Sequence, residues 1–65
     1  MALTDDQARL LRRMFPAGPK VTGGQTPEQG ENLSVAAARY AFRLWGEDEP
    51  MPTDDEIREA IRRPE

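Results

Sequence analysis

Sixty-five residues make one domain at most, and a chain of about 60 residues buries only ~60% of its unfolded surface, so the core is thin unless something staples or completes it. The sequence has no cysteine and no histidine, which removes disulfides, Ser–His and Cys–His catalysis, and in practice a structural zinc site. The net charge of −3 is unevenly placed: residues 1–46 carry six bases and four acids, residues 47–65 three bases and eight acids.

The first residues, Met-Ala-Leu-Thr-Asp-Asp, have neither a basic stretch nor an apolar one, and no run approaches the ~18 apolar residues of a membrane span. A cytoplasmic protein with no membrane partner is the expectation. Thr4 is placed to cap a first helix, with Gln7 three residues on as in a capping box and Leu3 ahead of it to staple against Ala8. Asp5 and Asp6 suit the positive end of the helix dipole, and Asp5 is spaced to pair with Arg9. Ala8, Leu10, Leu11, Met14 and Phe15 share a face, with Arg9, Arg12 and Arg13 opposite. Pro16 disfavours helical geometry at Phe15, so this helix covers residues 4–15.

Residues 16–26 are rich in glycine and proline and read as an irregular connection, with Val21 turned inward. The fragment Gly-Pro-Lys-Val-Thr lacks the spacing of a phosphate-binding loop, and no strand precedes it. Thr26-Pro27-Glu28-Gln29 is a second helix start, with a cap, a proline at the first helical position and a glutamine to close the box. The central helix therefore covers residues 27–45, the alternative being a start near Leu33. The early start places Gly30 on the apolar arc, where a missing side chain permits close packing, but it places Glu31 there as well.

Leu33–Trp45 is the one long apolar periodic stretch. At 100° per residue Leu33, Val35, Ala37, Ala38, Ala41, Phe42, Leu44 and Trp45 fall on one side, Arg39 and Arg43 on the other, with Ala36 and Tyr40 flanking the arginines. An arc this wide predicts cover on more than one side. Gly46 is suited to end the helix. After an acidic turn, Thr53 and Glu56 form a third capping box, and the helix over 53–63 has a narrow stripe of Ile57, Ala60 and Ile61. Acids at its start and Arg62 and Arg63 at its end both match the dipole.

The fold expected is therefore a small all-α domain spanning 1–65, with three helices and one Gly/Pro-rich connection. Phe42 and Trp45 are expected in its core, Trp45 among Leu11, Phe15, Ile57 and Ile61, because aromatics bury the most area. The candidate partner-binding residues are Tyr40, Arg39, Arg43, Trp45, Glu47, Asp48 and Glu49: an aromatic edge, an arginine pair able to grip a carboxylate or phosphate, and an acidic turn. Paired carboxylates without a cleft do not make an acid–base or Mg²⁺ site, so no catalytic residue, cofactor, metal or small-molecule substrate is expected. The function expected is a non-catalytic protein–protein interaction module: a small subunit, adaptor, regulator or inhibitor that docks on a larger protein or on itself. The alternative is a small helix-turn-helix-like nucleic-acid-binding regulator acting as a dimer, presenting Arg9, Arg12 and Arg13. Asp54, Asp55 and Glu56 at the head of the third helix would repel phosphate and speak against it.

Overall fold

In a computed structural model that describes residues 3–45 and 49–63, the chain forms α1 (Asp5–Met14), α2 (Pro27–Trp45) and α3 (Asp54–Arg62). The capping boxes form as the sequence predicts. Thr4 Oγ1 accepts from the Gln7 N–H at 3.1 Å while Gln7 Oε1 accepts from the Thr4 N–H at 3.0 Å. Thr53 and Glu56 repeat the arrangement on α3. On α2 the Thr26 and Gln29 pair does the same, so the helix starts at Pro27 and the glycine at position 30 lies inside it. The expected Asp5–Arg9 pair is replaced by Asp6 and Arg9 at 3.8 Å, both largely in water and of little consequence for stability.

The core lies where the three helices meet. Leu11 and Phe15 from the α1 side, Val35, Ala38 and Phe42 from α2, and Ile57 and Ile61 from α3 form one buried cluster, with Leu3, Leu10, Met14 and Ala60 packed around it. Ala38 and Ile57 are completely covered. Between α1 and α2 the chain turns at Gly18, whose φ of +94° lies in the region that glycine occupies at least cost.

Two buried polar side chains hold the connections in place. Ser34 Oγ accepts from the Lys20 N–H at 3.0 Å and donates to the Gly30 carbonyl at 2.8 Å, tying the irregular segment to α2. Gln7 Nε2 donates to the Pro50 carbonyl at 3.0 Å, tying the start of the α3 approach to α1. Lys20 and Val21 lie directly over Gly30: a Cβ there would stand 2.6 Å from Val21 Cγ2 and 2.9 Å from the Lys20 carbonyl oxygen. Gly30 therefore permits close packing, as its place on the arc implies, though Val21 itself stays 45% exposed rather than turning inward.

Two further sequence expectations need correction. The apolar arc of α2 is covered on one side only: Val35, Ala38, Ala41 and Phe42 are buried, while Leu33, Ala37 and Leu44 face outward. Trp45 is not in the core but 72% exposed. Leu33, Ala37 and Leu44 point away from both neighbouring helices, and for Trp45 helix length is the reason. At ~1.5 Å per residue α2 runs about 28 Å, whereas α1 and α3 span only about 15 and 13 Å, so the end of α2 overhangs what its neighbours cover. Gly46, Glu47 and Asp48 lie outside the described residues.

Candidate functional site

α2 presents two different edges, and the candidate residues divide between them. On the edge towards α3, Arg39, Tyr40 and Arg43 line a shallow cleft together with Asn32, Ala36, Asp54 and Arg58. Tyr40 is 65% exposed. Arg39 Nη1 meets Asp54 Oδ1 at 2.8 Å, so one member of the expected arginine pair already has its carboxylate. Arg43 has no ion-pair partner among the described residues. The two arginines thus do not form the joint anion grip that their spacing suggests.

On the edge towards α1, Trp45 borders a groove with Leu10, Phe42, Arg9, Arg13 and Glu49. Glu49 accepts a hydrogen bond from Thr4 Oγ1 at 2.8 Å. Of the acids after α2, Asp54 is held by Arg39, Asp55 by Arg58 at 3.0 Å, and Glu56 closes a capping box. Glu47 and Asp48 lie outside the described residues. The described part of the acidic segment is therefore engaged in caps and internal pairs. Among the described residues no three acidic groups converge as metal ligands would.

The outward face of α2 between these edges is apolar. Leu33, Ala37, Tyr40 and Leu44 follow one another at spacings of four, three and four residues, which keeps them in a single stripe along the helix. Leu33 is 56% exposed and Leu44 54%. Single exposed leucines need no explanation, but a continuous stripe does. Periodicity places Leu33 and Leu44 on one apolar arc with Phe42 and predicts cover on more than one side; only the three-dimensional packing separates the covered half of the arc from the open half.

The strongest electrostatic feature, also missed in the sequence, is a clamp between α2 and α3. Glu31 Oε2 accepts from Arg62 Nε at 2.7 Å and Glu31 Oε1 from Arg62 Nη2 at 2.9 Å, while Arg58 Nε approaches Oε1 at 3.2 Å. Arg58 also reaches Asn32 Oδ1. The Glu31 side chain is only 14% exposed. Its hydrogen bond to Arg62 and the positive charge of both arginines hold its carboxyl below the ordinary 4.5, against the opposing effect of desolvation. Arg62 is pushed up in turn, first by the same hydrogen bond. The signal was present: Glu31 falls on the covered side of α2, and Arg58 and Arg62 stand four residues apart on α3.

No family model, curated protein or solved structure matches this chain. Function must therefore be read from the surface itself. No helix among the described residues is long and apolar enough to cross a membrane.

Proposed function

We propose that this chain is a cytoplasmic, non-catalytic protein–protein interaction module: a small subunit, adaptor or inhibitor whose docking surface is the outward face of α2. The observation that carries this reading is the exposed run Leu33–Ala37–Tyr40–Leu44 on a domain whose buried cluster does not use them. Such apolar surface is removed from water on binding, and large aromatic side chains concentrate binding free energy. Arg43 at the border adds orientation through charge rather than much affinity.

A non-catalytic role is supported by the chemistry of the side chains. A general acid needs a carboxyl held high in a cleft, whereas Glu31 is held low and clamped by two arginines. The nucleic-acid alternative keeps Arg9, Arg12 and Arg13 exposed on α1, but α3 begins with the exposed Asp54 and Asp55, whose charge opposes phosphate, and Asp54 neutralises Arg39.

The test is affinity capture from the native host with the wild-type chain and with a variant carrying Leu33→Ser, Tyr40→Ser and Leu44→Ser. The reading expects a partner, a second copy included, that the wild type retains and the variant loses, with thermal unfolding of the two chains alike. Equal capture by both would refute it. A gel shift with unrelated duplex at low salt checks the alternative, and no binding is expected at micromolar protein.

A further inference from the structure

We propose that residues 19–25 form a hinged strap that swings off α2 while the three-helix core stays folded. The strap lies between two anchored turns. Upstream, the Gly18 N–H donates to the Phe15 carbonyl at 3.2 Å; downstream, the Thr26 and Gln29 box starts α2. Gly18, at φ +94°, gives the chain a joint where the backbone can turn at little steric cost. Within the strap, the Thr22 N–H donates to Gln25 Oε1 and the Gln25 N–H to the Thr22 carbonyl, both at 3.1 Å. These bonds travel with the segment and keep its shape when it moves.

Little holds the strap down. Among the described residues one hydrogen bond crosses from it to the rest of the chain, from the Lys20 N–H to Ser34 Oγ at 3.0 Å. When that bond breaks, water reaches the amide, and Ser34 keeps its own bond to the Gly30 carbonyl at 2.8 Å. No strap residue belongs to the buried cluster, and residues 20–24 are exposed. Val21, whose Cγ2 lies over Gly30, is itself half in water. A segment with so few buried apolar contacts opens before the elements it rests on.

The strap is also one edge of the open α2 face. At 100° per residue Gly30 stands about 60° around the helix from Leu33 and about 20° from Ala37, with Ser34 on its far side. Opening therefore adds Gly30 and Ser34 to the surface beside Leu33 and Ala37, and leaves Val35, Ala38 and Phe42 in the buried cluster. This motion belongs to the isolated chain and does not depend on what docks on α2, so it and the capture experiment fail separately.

Lys20 is the one lysine of the chain, so a lysine-specific endoprotease has a single site, and it lies in the strap. Cutting of the full chain is measured in urea below the unfolding transition, relative to a free peptide spanning residues 16–26. The relative rate is expected to change little with urea, because the opening exposes little surface. By hydrogen exchange, the Lys20 amide is expected to exchange at least about tenfold faster than that of Ala38 in the covered middle of α2, whose exchange rises with urea as global unfolding does. Gly18→Ala adds a Cβ that meets nothing nearer than the Ile61 carbonyl oxygen at 3.8 Å, so it strains only the closed backbone. It is expected to raise cutting roughly five- to thirtyfold, and Ser34→Ala, which removes the crossing bond, roughly three- to tenfold. Cutting and Lys20 exchange that climb with urea as steeply as Ala38 would overturn the strap, since opening would then require the whole domain to unfold. Gly18→Ala cut no faster than wild type would overturn the hinge.

Discussion

Gly30→Ala sets helix propensity against packing, and the structure decides the sign. In the interior of an exposed helix the change would be stabilising by ~1 kcal/mol, since alanine restricts the unfolded chain and favours the helix. Here the new Cβ would stand 2.6 Å from Val21 Cγ2, 2.9 Å from the Lys20 carbonyl oxygen and 2.9 Å from Val21 Cα. The valine methyl can rotate away into water, but the two backbone atoms must retreat with the chain. That retreat pulls the Lys20 N–H off Ser34 Oγ, now at 3.0 Å, and leaves a buried hydroxyl and an amide short of a partner. Overpacking costs ~1–3 kcal/mol and the weakened bond ~1 kcal/mol more, so after the propensity gain a net loss of about 1–3 kcal/mol remains. For a domain of this size that lowers Tm by roughly 5–25 °C. Thermal and urea unfolding followed by circular dichroism measure it. Ala36→Gly, at an exposed position of the same helix, gives the propensity term alone and is expected to cost ~1 kcal/mol. Adding Val21→Ala to Gly30→Ala removes only the side-chain clash and is expected to restore part of the loss. An unchanged or higher Tm for Gly30→Ala would refute the claim that Lys20 and Val21 are held against α2.

Glu31 makes stability depend on pH in a defined direction. Its carboxyl is held below the ordinary 4.5 in the folded chain, so its contribution is complete above that value and fades as pH falls through the lowered one; Glu31→Gln is expected to flatten the acid limb of a Tm-versus-pH profile, and an unchanged limb would rule the clamp out as its source. Ile57→Ala opens a cavity at a fully covered site and is expected to cost ~2–5 kcal/mol, comparable to the whole stability of a 65-residue domain, so the far-UV spectrum at 25 °C is expected to show substantial unfolding; a cooperative melt near the wild-type Tm would contradict the placement of Ile57. Trp45→Ala is expected to change stability by less than about 0.5 kcal/mol, and in the dilute wild-type chain Trp45 emission should be quenched readily by iodide; blue-shifted, protected emission would place the ring in the core after all.

The parts of this fold governed by neighbours in sequence were legible from the residues. Thr4 with Gln7, Thr26 with Gln29 and Thr53 with Glu56 announce three helix starts because a capping box closes within four residues and needs nothing from elsewhere. The all-α class follows from the same local chemistry, and the glycine at position 30 marks where Lys20 and Val21 come close to α2. The candidate site was legible only in part. The sequence singled out Tyr40 and Arg43, which are exposed, but it joined Arg43 to Arg39, which Asp54 occupies from fifteen residues away.

Periodicity specifies which residues of α2 share a side; it cannot specify how much of that side the other helices are long enough to cover. Tertiary structure decided that Phe42 is enclosed while Leu33 and Leu44 face away from the neighbouring helices and Trp45, at the end of the longer α2, remains in water. It also turned Glu31 from an apparent misfit on the apolar arc into the acceptor of two α3 arginines, since a carboxylate is tolerated at a covered position once charge and hydrogen bonds meet it there. Local hydrogen bonds and helical period set the elements, whereas burial and ion pairing depend on contacts between residues far apart in the chain, which arise only when the helices pack.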